Sequence, residues 1–186
     1  MTLTPELDNV LAVYACALPD AREMGFNWYP YAHDLALSLD SDIEQSAGVI
    51  AVLSPQVNWD RNMQLAVKAY ENGHLDGGCL GKNVAKANRI LAGERAANVI
   101  GGDKVTNFWR TIIDPDNTEF QAVIDRHAFD IAVGQRCKDS DRKLGKKRYA
   151  EFANVYEVAA KWTNIKIQQM QAITWCAWKD ANGILV

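Results

Sequence analysis

Ile100-Gly-Gly-Asp-Lys-Val-Thr-Asn-Phe-Trp-Arg-Thr-Ile-Ile113 is the stretch that decides the fold. Its two glycines predict a tight turn, and the apolar residues that follow recur at helical spacing. Asp114-Pro115-Asp116-Asn117 then breaks this helix, because a proline biases the preceding residue away from the helical region. A second apolar run, Val123-Ile-Asp-Arg-His-Ala-Phe-Asp-Ile-Ala132, begins another helix. Asp125 and its two successors lie at the start of that helix, where backbone N–H groups lack helical partners.

The chain before this stretch predicts further helices separated by turns. One helix spans residues 5–18 and is capped by Thr4, and an aromatic segment at 26–31 follows it as a loop that Pro30 makes locally extended. Ser41-Asp-Ile-Glu44 has the form of a capping box ahead of a nearly all-apolar, central helix. Asn58 is expected to cap the next helix, which Gly73 ends.

Further helices are predicted over residues 83–91, 149–159 and 167–178, the last ended by Gly183. No segment alternates apolar and polar residues, so strands are few or absent. The sequence therefore predicts an all-α protein, an orthogonal array of about eight helices. We expect a single domain over residues 1–186, with room for two lobes and with the hairpin and aspartate segment at 100–133.

The overall charge favours no particular partner. The formal net charge is -3 and the pI is near 5.6, so only local patches could bind nucleic acid. One such patch contains seven basic residues and only two acidic ones: Arg136, Lys138, Arg142, Lys143, Lys146, Lys147 and Arg148, with Asp139 and Asp141. This run is either a solvated face or an anion-binding surface.

Several chemistries lack their usual residues. The three histidines have no metal-binding spacing, the four cysteines form no close pairs, and phosphate-loop and serine-hydrolase motifs are missing. Cys137, beside basic residues, is the only candidate for a cysteine nucleophile. We expect no metal and no cofactor. With neither a leader nor a membrane span in the sequence, we expect a cytoplasmic protein with no membrane partner, in the host cytoplasm if it is phage-encoded.

The glycine turn has two interpretations. A hairpin of this kind can point backbone N–H groups of Gly101 and Gly102 at a DNA phosphate, with Lys104 adding charge. It can also be an ordinary helical hairpin, with Asp125 only capping the next helix.

The turn, the short helix, the break and Val123-Ile-Asp-Arg-His-Ala128 together resemble the helix–hairpin–helix DNA glycosylase superfamily. Val52-Leu-Ser-Pro-Gln-Val-Asn-Trp59 is similar to the segment that closes one helix and lines the base pocket in that superfamily. The resemblance covers roughly residues 40–180. The chain also resembles small bacteriophage proteins from a divergent branch of this fold, some relatives of which are implicated in thymine hypermodification.

The resemblance implies a role for particular residues. It places the catalytic aspartate on Asp125, a possible Schiff-base lysine on Lys104 and a pocket-lining glutamine on Gln56. The sequence departs from the superfamily pattern at Asp103 in the hairpin and at Arg126 after the aspartate, and the superfamily's C-terminal cysteine cluster is missing.

A base-directed enzyme needs a pocket of rings and amides for a base turned out of the duplex. Residues of suitable type are Gln56, Trp59, Asn62, Arg126, His127 and Trp175. Contacts to the DNA backbone would come from Gly101, Gly102, Lys104, Lys146, Lys147 and Arg148. The expected partner is phage or host DNA, together with other DNA-modification enzymes.

Two reactions fit such a site. In N-glycosidic cleavage, Asp125 could stabilise an oxocarbenium-like sugar. In base modification, an amine would replace pyrophosphate on a hydroxymethylpyrimidine, and Asp125 could act as the general base. Arg126, His127 and Lys104 would then hold the leaving phosphates. The alternatives are a catalytically inactive DNA-binding or protein-interaction module on the same fold, and an unrelated helical protein with no role on DNA.

Overall fold

The computed structural model describes residues 3–184, and within them the chain is all-α, with ten helices and no strand. This confirms the all-α prediction. The helices are α1 Leu7–Ala15, α2 Pro19–Leu39, α3 Ile43–Leu53, α4 Trp59–Asn72, α5 Gly81–Leu91, α6 Ala96–Val99, α7 Asp103–Ile113, α8 Arg126–Val133, α9 Lys146–Thr163 and α10 Ile167–Ala181.

The described chain divides into two compact units. The first contains residues 3–29 and 116–184, and the second contains Pro30–Pro115. Their boundary at Pro115 falls inside the 100–133 segment, so the glycine turn belongs to the second unit and Asp125 belongs to the first.

The first unit is built on α1, α8, α9 and α10. Phe129 of α8 and Phe152 of α9 stack in its core, with ring centroids 4.4 Å apart. The Tyr156 hydroxyl donates to the Ala128 carbonyl oxygen across 2.8 Å, and the Tyr149 hydroxyl donates to that of Ala122 across 2.9 Å. These buried hydroxyls satisfy backbone groups around α8, and so fix the helix that carries Asp125.

The second unit is built around α3. Every residue of α3 from Ser46 to Leu53 is buried, as expected for a central helix, and α3 packs against α5 and α7. Gly48 allows α6 to come close, since a Cβ built on Gly48 would lie 2.6 Å from that of Ala96. The core of this unit includes Leu65, Leu75 and Ile90.

The aromatic segment at 26–31 is helical, so the predicted loop was wrong. It lies inside α2, which continues through Pro30 for 21 residues. The helix has a buried stripe of small residues around one tyrosine: Ala21, Gly25, Tyr29, Ala32 and Ala36. A Cβ on Gly25 would lie 2.4 Å from the Cα of Ile173, so α2 approaches the backbone of α10 here. Burial of this stripe outweighs the local effect of Pro30.

Two of the residues predicted to begin or end helices were confirmed, and two were wrong. Asn58 caps α4 by accepting from the Arg61 N–H at 2.8 Å, and Gly73 ends α4 at φ 69°, both as predicted. The cap of α3 is Asp42 and not Ser41, since the Asp42 carboxylate accepts from the Glu44 and Gln45 N–H groups. Thr4 does not cap α1, which begins at Leu7 and has no side-chain cap.

The glycine turn feeds α7 as predicted. Gly102 is the N-cap of α7 at φ 86°, a value that favours glycine, whereas Gly101 needs no positive φ. The expected count of about eight helices was too low. The four-residue α6 is too short to show helical periodicity, and α2 contains the segment that was predicted to be a loop. None of the helices in residues 3–184 is both long and apolar enough to cross a membrane.

Candidate functional site

Asp125 stands at the N-terminus of α8 and accepts three hydrogen bonds. Its Oδ1 accepts from the backbone N–H groups of His127 at 2.9 Å and Ala128 at 2.8 Å, so Asp125 is the N-cap of this helix. Its Oδ2 accepts from the Trp175 indole Nε1 at 3.1 Å. The carboxylate is half-buried. The last contact fixes the plane of the carboxylate beyond what capping requires.

Trp175 of α10 joins Asp125 to two other titratable side chains of the first unit. The His127 ring stands edge-on to Trp175, with centroids 6.3 Å apart, and the Lys179 Nζ lies 4.1 Å from the Trp175 ring centroid. Trp28 of α2 packs on the same indole at 4.9 Å. We call Asp125, His127, Trp175 and Lys179 the Asp125 cluster.

The surroundings of His127 favour the neutral form of its imidazole. Burial lowers its pKa, and the neighbouring charges of Arg126 and Lys179 also lower it, whereas Asp125 acts in the opposite direction. The His127 Nε2 accepts a hydrogen bond from the Arg126 Nε at 3.2 Å, which requires that nitrogen to be unprotonated. Arg126 itself is exposed at the start of α8.

Lys179 was missed by sequence reasoning. Only 4% of its surface is exposed, and lysine is rarely buried to this extent unless it is paired. It follows Trp175 by four residues on one helix, a spacing that places two side chains on the same face. This spacing could have indicated that Lys179 lies beside Trp175, but we interpreted α10 only from its apolar residues.

A buried phenol lies beside the cluster. The Tyr29 hydroxyl donates to the Gln171 side-chain oxygen across 2.8 Å, and 3% of the residue is exposed. Burial raises the pKa of Tyr29 well above its ordinary value, and the negative charge of Asp125 contributes to the rise. This hydroxyl is therefore a hydrogen-bond donor and not a base.

The residues predicted for a base pocket are divided between the units: Arg126, His127 and Trp175 belong to the first, whereas Gln56, Trp59 and Asn62 lie at the α3–α4 elbow of the second. Gln56 is exposed and has a left-handed backbone at φ 66°, and Trp59 meets Phe108 edge-on at 6.5 Å. Asn62 is 1% exposed, and neither its amide oxygen nor its amide nitrogen has a hydrogen-bond partner in the described chain. Its amide presents an unused donor and an unused acceptor side by side.

The predicted phosphate contacts fall in both units. Gly101 and Gly102 are exposed at the start of α7, with Asp103 and the half-buried Lys104 in its first turn. Asp103 complements the positive end of the helix dipole but would repel a phosphate there. The basic run lies in the first unit, where Lys146 and Lys147 are exposed and begin α9.

Arg148 is engaged within the chain. Its guanidinium donates to the carbonyl oxygens of Leu3, Asp141 and Lys143 at 2.8 to 3.0 Å. It also lies over the rings of Phe129 and Phe152, 5.1 and 5.5 Å from their centroids. These contacts use the planar geometry of arginine to anchor the basic run on the first unit.

Cys137 is poorly suited to nucleophilic chemistry. Burial and the adjacent Asp130 raise the pKa of its thiol, and the reactive thiolate is thereby disfavoured. The four cysteines are free thiols. Within residues 3–184, no group of three or more histidine, cysteine, aspartate or glutamate side chains could hold a metal ion.

No curated protein and no solved structure matches the chain. Residues 1–182 match a family of unknown function, DUF7178, and the chain belongs to that family.

Proposed function

We propose that the protein is an enzyme acting on bases of DNA, built on a helical arrangement of the helix–hairpin–helix glycosylase type, with Asp125 as its catalytic carboxylate. The observation that carries the proposal is the third hydrogen bond of Asp125. An N-cap needs only the two backbone contacts made by Oδ1, whereas the bond from Trp175 orients Oδ2 among aromatic side chains.

A carboxylate held in this way suits charge stabilisation. In N-glycosidic cleavage the bond between C1′ and the base breaks, the sugar becomes oxocarbenium-like, and water adds to C1′. A negative charge fixed before the reaction lowers the barrier, because no reorganisation is needed when the positive charge develops. The rings of Trp175 and Trp28 supply flat apolar surface of the kind on which an extruded base stacks.

Base modification makes similar demands on the same residues. An amine would attack the 5-methylene carbon, its C–N bond forming as the C–O bond to pyrophosphate breaks. Asp125 would take the proton that the amine loses, and the exposed Arg126 would pair with the leaving pyrophosphate. The neutral His127 would contribute as a hydrogen-bonding side chain.

A second candidate is a catalytically inactive DNA-binding or protein-interaction module. The observation that favours it is Asp42, which caps α3 through its Oδ1 in the same way that Asp125 caps α8. A purely structural role accounts for two of the three hydrogen bonds to Asp125, so the capping contacts alone do not require catalysis.

The test is a mass-spectrometric nucleoside assay on Asp125→Asn. DNA containing thymine, uracil, 5-hydroxymethyluracil or its pyrophosphorylated form would be incubated with the protein, with and without amines. Released base indicates cleavage, and a heavier nucleoside indicates modification. We expect wild-type turnover and loss of at least a hundredfold of it in Asp125→Asn, since asparagine caps helices as well as aspartate but carries no charge.

Asp42→Asn is the matched control, because it makes the same chemical change at a helix cap outside the Asp125 cluster. It should retain full turnover. Trp175→Phe removes the indole donor but keeps a ring, and it should lower turnover less than Asp125→Asn does. Full activity of Asp125→Asn would refute the catalytic assignment, and no product on any substrate would favour the inactive module.

A further inference from the structure

The seven basic residues between Arg136 and Arg148 fall into two structural groups. Arg142 and Arg148 form the internal group. The Arg142 guanidinium donates to both carboxylate oxygens of the buried Asp130, at 2.9 and 2.6 Å, and to Asp139 at 2.7 Å. Arg148 donates to backbone carbonyl oxygens. The guanidinium groups of these two arginines are engaged within the chain, where they anchor the segment.

The other five cations form the external group. All are exposed, and in the described part of the chain none of them forms an ion pair: Arg136, Lys138, Lys143, Lys146 and Lys147. We call them the basic surface. Of the two acidic residues in the segment, Asp139 is paired with Arg142 and Asp141 is exposed. Outside the segment, the exposed Glu151 follows Lys147 by four residues on α9.

The folding of the segment does not explain this concentration of charge. Arg142 and Arg148 already hold it in place through hydrogen bonds, and the five external cations add mutual repulsion. Lys146 and Lys147 also occupy the first turn of α9, which contains no acidic residue. Cations there oppose the helix dipole and cost stability. An anionic partner would remove both penalties.

We propose that the basic surface binds the sugar–phosphate backbone of DNA. The choice of DNA among polyanions rests on the proposed function, whereas the surface itself rests on the exposure and pairing of its side chains. A chain of formal net charge -3 would in this way hold a polyanion through one local surface. Lysine and arginine contacts to phosphate are independent of base sequence, so the surface would position DNA and leave base selection to other residues.

The test is the salt dependence of DNA binding by the full-length protein, followed by fluorescence anisotropy on a labelled 20-base-pair duplex. Each neutralised phosphate contributes about 0.9 to the slope of log affinity on log salt. The double variant Lys146→Gln/Lys147→Gln should reduce the magnitude of that slope by about 2, equally on unrelated sequences. Lys138→Gln/Lys143→Gln should do the same.

Lys82→Gln/Lys86→Gln on α5 is the matched control, because it removes two charges from the second unit. It should leave the slope unchanged. The proposal is overturned if the slope survives both basic-surface variants, or if the control lowers it equally. Binding to vesicles that contain phosphatidylserine but not to the duplex would also overturn it, and would assign the surface to a membrane.

Two separate measurements keep this test independent of the enzymatic proposal: turnover reports on Asp125, whereas the salt dependence of binding reports on the basic surface. If no substrate is turned over but the lysine variants reduce the slope of log affinity on log salt, the proposed DNA-binding surface is supported and the catalytic assignment fails. If Asp125-dependent turnover is found while the slope is unaffected by the lysine variants, only the proposed surface fails.

Discussion

Asp125 and Asp42 have the same capping role and differ in one contact. Each carboxylate accepts from two backbone N–H groups at the start of a helix, but the Oδ2 of Asp125 also accepts from Trp175. Asp42 is exposed, whereas Asp125 is half-buried beside a histidine and a buried lysine. A cap is recognisable from residue type and position, but the third contact comes from a residue 50 positions away.

Asn62 provides a prediction about stability. A buried polar group without a hydrogen bond costs about 1–3 kcal/mol, and both polar atoms of the Asn62 amide lack partners in the described chain. Asn62→Leu, which keeps a similar side-chain shape, should therefore raise the free energy of unfolding by about 1–3 kcal/mol. Denaturant unfolding followed by circular dichroism measures this change.

The control for Asn62 is Asn88, also in the second unit. Its amide accepts from the Leu75 N–H and donates to the Leu75 carbonyl oxygen, both at 2.8 Å. Asn88→Leu should lower stability, since it leaves two backbone groups unpaired. A loss of stability in Asn62→Leu would mean that the Asn62 amide is satisfied in solution, and would contradict the prediction.

His127 predicts a pH dependence of stability. Burial lowers its pKa below the ordinary value of 6.5, so the unfolded chain binds the proton more readily than the folded chain. The neutral ring therefore contributes stability that is fully present above pH 6.5 and is lost as the pH falls through that value towards the folded pKa. Thermal unfolding of His127→Gln should show a weaker decline between about pH 7.5 and 5.5 than wild type does.

His74→Gln supplies the comparison, because the His74 side chain is 59% exposed and lies outside the Asp125 cluster. His127→Gln should weaken the decline more than this variant does. Equal declines in His127→Gln and wild type would show that His127 does not titrate differently on folding.

At the scale of the helix, α2 shows where local signals mislead. Pro30 and the surrounding rings predict a loop, whereas the helix continues because its buried stripe contains mainly alanine and glycine. Such small residues give a weak periodic signal, since apolar periodicity is read from larger side chains. Gly25 indicates close helix packing only once Ile173 is known to lie against it, and that contact is not visible in the sequence.

Pro30 predicts that α2 can be stabilised by one substitution. It is exposed in the interior of the helix, where proline donates no hydrogen bond to the carbonyl oxygen four residues earlier. Pro30→Ala should raise the free energy of unfolding by about 1–3 kcal/mol, the upper limit being the difference between proline and alanine inside a helix. The melting temperature should rise accordingly.

Pro19 is the control for this substitution. It is the first residue of α2, where the missing N–H has no helical partner in any case. Pro19→Ala should therefore change the melting temperature little. A lower melting temperature in Pro30→Ala would show that the ring makes contacts worth more than the missing hydrogen bond.

At the scale of the whole molecule, fold class was predictable and the division into units was not. The absence of alternating patterns and the repeated helical stripes were sufficient for an all-α assignment. The first unit is discontinuous, since residues 3–29 join residues 116–184. One boundary falls inside α2, between Tyr29 and Pro30, where no linker composition marks it. The other falls within the Asp114–Asn117 break, which the sequence predicts as a turn but not as the edge of a unit.

Each unit has its own core, and this predicts which unit loses stability when a core residue is replaced. Ile131 is fully buried in the core of the first unit, and Ile90 is 2% exposed in that of the second. Replacing either by valine should cost about 0.5–1.5 kcal/mol, through one lost methylene and the space it leaves. Because the two cores consist of different residues, amide hydrogen exchange should lose protection mainly in the unit that carries the change.

Native-state hydrogen exchange read by mass spectrometry distinguishes the outcomes. Ile90→Val should accelerate exchange in α3 to α5 more than in α8 to α10, and Ile131→Val should do the reverse. The two variants control for each other, since the chemical change is identical and both sites are buried. Equal acceleration in both units by either variant would show that they open in a single cooperative event, in which case separate cores would not mean separate stability.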